Sequence, residues 1–128
     1  MLDNADLGKL IVRLTLGGLL LFHGIAKLLH GVGFIEGLLA NHGIPAFAAY
    51  GVFIGELLAP LMVMLGYHTR IGALLIVFNM LVAIALVHSH QLMTLASNGG
   101  WALELQGFFL FTALALIFLG PGRYKLKN

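Results

Sequence analysis

The chain has no cysteine, one tryptophan and three prolines among 128 residues, and only 9 % of it is charged. The lack of cysteine excludes disulfides, thiolate catalysis and Cys-ligated metals, and leaves the redox compartment open. The scarcity of charge excludes more. A soluble domain carries about 25 % Asp, Glu, Lys and Arg to cover its surface, and this chain has nothing close to that. No phosphate-cradling loop, dinucleotide fingerprint, HExxH pair or nucleophile elbow occurs either.

What fills the sequence is apolar. Sixty per cent of the residues are hydrophobic, and the mean hydropathy is +1.01. A chain of this composition needs lipid as its solvent. Its length fits one domain, residues 1–128. The net charge of +2 is small, and the basic residues lie at the ends of apolar runs. That pattern belongs to membrane orientation and not to a nucleic-acid-binding patch.

Four runs have close to the ~20 residues that a ~30 Å hydrocarbon core asks of a helix. They are Leu7–Leu29, Phe47–Gly66, Arg70–Ser89 and Trp101–Leu119. The expected fold is therefore all-α, a four-helix bundle of transmembrane helices. The apolar part of the first run follows the charged residues Lys9 and Arg13, as that of a signal peptide would. No small-x-small cleavage site follows it, however, and Lys27 sits near its far end, so it is expected to remain as a span.

Lys9, Arg70, Arg123, Lys125 and Lys127 fall at ends that alternate to one side, while residues 30–46 and 90–100 contain no Lys or Arg. The positive-inside rule then puts both termini and the turn at Tyr67–Thr69 in the cytoplasm. Tyr50, Tyr67, Trp101 and Tyr124 lie near the expected interfaces, where amphipathic aromatics prefer to sit. On the opposite side, Phe34, Ile35, Leu38 and Leu39 follow a helical spacing, and Asn41-His42-Gly43 with Pro45 reads as a helix stop. A short surface helix over Gly33–Asn41 is expected. Asn98-Gly99-Gly100 marks a loop. A faint internal echo pairs Arg13…Gly17 with Arg70…Gly72, and Gly66 with Gly120, as if two helical hairpins were related.

The informative residues are the polar ones inside the spans. An ionisable group in a bilayer costs about 2.5–3.5 kcal/mol on insertion scales, so such groups face the bundle interior and pair. Arg13, His23, Lys27, Glu56 and Glu104 are of this kind, and Asn79, His88 and Gln106 add polar atoms. Helix rise places Glu56 and Asn79 near the midplane and Arg13 about 7 Å toward the cytoplasm, within reach of Glu56. His23 and Lys27 are four residues apart and share a helix face. Gly17 and Gly24 lie on the same broad stripe and permit close approach of another helix. Pro60 has no N–H to give the carbonyl of Glu56, which predicts a kinked and locally hydrated backbone beside a buried carboxylate. Pairs of Arg13 or Lys27 with Glu56 or Glu104 would also serve helix assembly alone, although buried ion pairs contribute little net stability.

Three chemistries suit such a column. A quinone needs hydrogen-bond donors for its carbonyls and carriers for its protons, and Lys27, His23, Arg13, Glu56, Glu104 and His88 could supply both. Haem between His23 and His88 is a weaker reading, as is a metal held by His88, His90 and Glu104, because neither has a specific spacing. Transport of a small solute or proton past a proline-broken helix is the third, and with four helices it would require an oligomer. Nothing here could hold a flavin or a nucleotide, so a redox role would need a partner subunit.

Arg13-x-x-x-Gly17, Gly24-x-x-Lys27, Gly43-x-Pro45, Glu56, the Gly66…Thr69-Arg70 turn, Asn79 with Ala83, His88 and the closing Gly120-Pro121-Gly122-Arg123-Tyr124 follow one another across the chain. In that order and spacing, from about Leu10 to Tyr124, the sequence resembles the DoxX family of small bacterial inner-membrane proteins. The resemblance implies a four-helix membrane fold in the bacterial inner membrane. Some relatives are named as subunits of thiosulfate:quinone oxidoreductase, and others are linked to redox or thiol stress. Arg13, Lys27, Glu56, Asn79 and His88 are the site residues the motifs imply. The closing motif in the family often continues to a Ser and an acidic residue. Here it continues to Lys125-Leu126-Lys127, which adds to the inside-positive charge and removes any partner contact that used the acid. The reading is then a quinone-linked membrane component of a redox system, working with a redox partner protein or as a homo-oligomer. The alternatives are a small transporter or an assembly subunit.

Overall fold

The computed structural model describes residues 4–88, 93, 95, 97 and 99–128, apart from the side chains of Ala46, Val87 and His88. Helix α1 runs over Ala5–His30. Its start is set by Asn4, whose side chain accepts from the N–H of Leu7 at 3.0 Å. It ends at Gly31, where φ is +85° and the N–H returns to the Lys27 carbonyl. Its buried face reads Arg13, Leu16, Gly17, Leu20, Gly24, a stripe of one helical period.

The expected short helix is present as α2, Gly33–Asn41. Its Leu39 is buried with Val32 and Ala49, which ties α2 back onto the start of the next span.

That span, Phe47–Leu65, is continuously helical but changes character along its length. A 3₁₀ segment at Ala46–Gly51 is followed by a π turn at Ile54–Leu58 and then by α3, Ala59–Leu65. The π turn lies immediately before Pro60, and the N–H of Ala59 reaches back five residues to the Ile54 carbonyl. Proline explains the position: with no N–H at residue 60, the ordinary partner of the Glu56 carbonyl is missing. The span ends at Gly66, which is left-handed with φ +71°.

Helix α4, Thr69–Ala83, continues into a second π turn, Ile84–His88, and Ser89 lies outside the described residues. Helix α5 covers Glu104–Leu119. It is shorter than the expected Trp101–Leu119, because residues 101–103 form a turn in which Trp101 lies against Gly107.

Three helices, Ala5–His30, Phe47–Leu65 and Thr69–Leu86, are thus long and apolar enough to cross a membrane, and α5 is a shorter apolar helix. The described residues form no strand, only isolated bridges. The core is small and apolar: Leu16 and Leu20 from α1, Ala59 and Val63 from α3, Ala73, Ile76 and Met80 from α4, and Phe109, Ala113 and Leu116 from α5. Outside it, Phe22, Phe78, Phe108 and Phe118 are exposed around the bundle. A soluble protein would not leave such a surface to water.

The start of α1, the turn after α3 and the tail after α5 meet at one end of the bundle. The N–H groups of Leu126 and Lys127 both donate to the Gly66 carbonyl at 3.1 Å, and the N–H of His68 donates to the Lys127 carbonyl at 2.8 Å. That contact holds His68 in the left-handed region at φ 48°. The faint repeat has a counterpart here. Arg13 reaches the carbonyls that end α3, beside Gly66, and Arg70 reaches the Ile117 carbonyl near the end of α5, beside Gly120. In each hairpin, an arginine on the first helix donates to carbonyls at the end of the second.

Candidate functional site

The centre of the molecule is Glu56, which the π turn delivers into the bundle with only 2 % of its surface exposed. Two glycines let neighbouring helices reach it. At Gly24 a side chain would come within 2.0 Å of the Glu56 carbonyl oxygen, so α1 lies directly on the backbone that Pro60 frees. At Gly55 a side chain would come within 2.4 Å of Asn79, so α4 is equally close on the other side.

Both carboxylate oxygens of Glu56 are engaged. Lys27 Nζ donates to Oε1 at 2.5 Å, and Asn79 Nδ2 donates to Oε2 at 2.9 Å. Lys27 follows Gly24 by three residues and so occupies the same face of α1. The ammonium supplies the countercharge that a carboxylate needs at this depth. Burying such a pair gains little stability, because desolvation offsets the attraction.

The cluster forms the wall between two cavities. The larger has a volume of about 490 Å³ and is lined by apolar side chains of α2, of residues 51–55 and of α4, with Lys27, Glu56 and Asn79 on its inner wall. Exposed Phe34, Ile54 and Phe78 form its rim, so it opens sideways between the Phe47–Leu65 span and α4. Its size and its few convergent polar groups are those of a small-molecule site. The smaller cavity, about 90 Å³, lies on the other side of the ion pair and is lined by His23 and Gln106 together with Lys27 and Glu56. The His23 ring stands edge-on to Phe109 at 5.7 Å.

The residues singled out from sequence therefore divide. Lys27, Glu56 and Asn79 are brought together; His23 borders the smaller cavity but is exposed, and it does not face the bundle interior as expected. Arg13 is not a partner of Glu56. Its guanidinium is buried, but it donates to the carbonyls of Val63 at 2.9 Å, Met64 at 3.1 Å and Pro121 at 3.0 Å, and to that of Tyr124. The end of α3 leaves carbonyls that need donors inside the bundle, and the five N–H groups of an arginine serve several of them at once. Glu104 is also outside the cluster. It is exposed in the first turn of α5, where a carboxylate suits the positive end of the helix dipole. The side chain of His88 and all of His90 lie outside the described residues, so the haem and metal readings that used them gain no geometry.

Two features have no obvious sequence signal. The docking of the tail onto Gly66 depends on backbone groups alone. The small cavity arises where Leu20, Met80 and Phe109 leave a gap around polar neighbours. Asn79 was legible, because an amide in the middle of an apolar run needs a partner.

The DoxX family model matches residues 8–89, which include Arg13, His23, Lys27, Glu56, Pro60 and Asn79. The match ends before α5 and before the closing Gly120–Tyr124 motif. No curated protein and no solved structure matches the chain.

Proposed function

The chain belongs to the DoxX family and is an integral membrane protein, and from that premise we propose that it holds a quinone in the lateral cavity as the membrane component of a redox system. The observation that carries this reading is the placement of the Lys27–Glu56–Asn79 cluster on the inner wall of an otherwise apolar cavity that opens sideways. A quinone is a lipid-soluble molecule with a polar carbonyl ring. It would arrive from the bilayer between the Phe47–Leu65 span and α4, with its ring toward Lys27 and its tail among the apolar side chains. Lys27, the accessible member of the cluster, is the group suited to donate to its carbonyl, and Glu56 behind it would relay protons through Lys27. Electrons would come from a partner subunit, since none of the described residues forms a redox centre.

In this reading the protein is a four-span protein of the bacterial inner membrane, with α5 as the fourth span and both termini in the cytoplasm. Three observations support it. The Arg70 contact with Ile117 sets α5 antiparallel to α4. The tail returns to the Gly66 turn. Lys9, Arg13, Arg70, Arg123, Lys125 and Lys127 gather toward that one end. At ~1.5 Å per residue, α5 with the turn before it approaches the thickness of the hydrocarbon core.

The test is binding of a short-chain quinone to the purified protein in nanodiscs, wild type beside Glu56→Gln, with empty nanodiscs as the blank. Saturable binding that is weakened in the variant is expected. Absence of saturable binding in both would leave transport, or assembly of a larger complex, as the role of the polar cluster.

A further inference from the structure

We infer that the end of the bundle where the tail docks binds anionic phospholipid headgroups through Arg70, Lys125 and Lys127. This is a second site, apart from the lateral cavity, and it does not depend on which ligand that cavity takes.

This end carries a surplus of positive charge that the described residues do not neutralise. Asp6 is the only acidic side chain described here, and Arg123 occupies it. The backbone N–H of Arg123 donates to Oδ1 at 3.2 Å, and its Nε lies 4.0 Å from Oδ2. Arg70, Lys125 and Lys127 are exposed, and no acidic side chain among the described residues pairs with them. Arg70 is nevertheless fixed. Its Nε donates to the Ile117 carbonyl at 2.9 Å, which leaves the N–H groups of its two terminal nitrogens for a ligand. The lysines are fixed through their backbone. The N–H of Lys127 donates to the Gly66 carbonyl at 3.1 Å, and its carbonyl accepts from the N–H of His68 at 2.8 Å. Lys125 lies so close to Gly66 that a Cβ there would meet its Cα at 2.6 Å. The fold thus sets free cations around the turn between α3 and α4. The positive-inside rule asks for cations on this side as the chain inserts. It does not ask that they be held in place on the folded protein.

The surroundings favour lipid over an acidic protein. Leu126, between the two lysines, is 69 % exposed, and Tyr67 and Leu119 are exposed beside them. Apolar and amphipathic side chains at the level of the cations mark the headgroup layer, where tyrosine and snorkelling Lys and Arg belong. A phosphodiester at that layer carries the negative charge that the cations lack, and its acyl chains meet the apolar side chains next to them. Each Lys or Arg near an anionic membrane surface adds to the attraction.

The experiment uses the full chain in mild detergent, mixed with equal amounts of phosphatidylglycerol and phosphatidylcholine of the same acyl chains. Bound lipid is counted by native mass spectrometry. The phosphatidylglycerol is expected to bind about tenfold or more tightly than the phosphatidylcholine. In Lys125→Gln with Lys127→Gln that preference should fall by about fivefold or more. Lys125→Arg with Lys127→Arg should keep it, because the charge is kept. Both pairs should melt as the wild type does in nanodiscs of phosphatidylcholine, since the tail is tied to the Gly66 turn through backbone groups. Equal binding of the two lipids by the wild type, a comparison that needs no variant, would overturn the inference and leave the basic end to an acidic protein partner. A preference that survives in the glutamine pair, or is lost in the arginine pair, would overturn it as well.

Discussion

Lys27 Nζ lies 2.5 Å from Glu56 Oε1, yet the two side chains differ in exposure, 32 % for Lys27 and 3 % for Glu56. The asymmetry orders the cost of breaking the pair. Removing the lysine leaves a carboxylate with almost no access to solvent or headgroups. Removing the carboxylate leaves an ammonium on a flexible stem that can turn toward the cavity. Lys27→Met should therefore destabilise by about 3–5 kcal/mol, the usual cost of orphaning a buried charge, and Glu56→Gln by less. Thermal unfolding in detergent of both single variants and of Lys27→Met with Glu56→Leu reads the order directly. If Glu56→Gln cost more than Lys27→Met, the carboxylate would be needed for packing or for Asn79 more than for charge.

The closeness of α1 to the π turn gives a second prediction. A Cβ at Gly24 would stand 2.0 Å from the Glu56 carbonyl oxygen, and that oxygen is backbone that cannot rotate aside. Gly24→Ala must push α1 off the span, at a cost of about 1–3 kcal/mol or more, and should weaken ligand binding by displacing Lys27. Gly18→Ala is the matched control. Its nearest neighbour would be the Met64 Cε at 4.0 Å. That substitution should be neutral, or stabilise by up to about 1 kcal/mol through helix propensity. The melting temperatures of the two variants, measured together, separate crowding from any general intolerance of alanine on α1.

These contacts also mark what could be read from the sequence and what could not. Three of the four expected spans, the short α2 and the polar cluster were legible because each breaks or obeys a strong local rule. Apolar length marks a span. Asn41-His42-Gly43 marks a stop. An ionisable group at the middle of an apolar run must find a partner, and Lys27, Glu56 and Asn79 find one another. The direction of Arg13 was not legible. Its long side chain can reach either way along the helix, and the carbonyls of Val63, Met64, Pro121 and Tyr124 have no signature in side-chain identity. Glu104 lies apart from the cluster for a related reason: hydropathy marks where an apolar run begins, not where the helix hydrogen bonds begin, and those begin three residues after Trp101.

Arg13 carries the third prediction. It holds the end of α3 and the tail together through four carbonyls. Hydrogen bonds to a charged group are worth about 1.5–3 kcal/mol each in favourable cases, so Arg13→Met should free the tail well before it unfolds the bundle. Limited trypsin digestion in detergent should then cut after Arg123 or Lys125 about tenfold faster or more than in the wild type. Ligand binding should change little, because the cavity lies toward the other end of α1. Equal digestion rates would mean that the Gly66 contacts of Leu126 and Lys127 hold the tail by themselves.

Pro60 offers the closing prediction, because it separates stability from function. A proline in a helix interior costs about 3 kcal/mol relative to alanine, and here it follows a π turn that turns Glu56 into the bundle. Pro60→Ala restores an N–H that can bond to the Glu56 carbonyl and so complete an ordinary α-helical turn. Relaxing the π turn removes its extra residue, and one residue of α-helix is a rotation of about 100°. Relative to α3, Glu56 would then swing away from Lys27 and Asn79. The hydrogen bond gained and the buried ion pair parted offset one another, so the variant should melt close to the wild type while losing about tenfold or more in quinone affinity. If the affinity were unchanged, the π turn would be held by Gly24 and Asn79 packing against it, and the proline would only mark where the helix had already been bent.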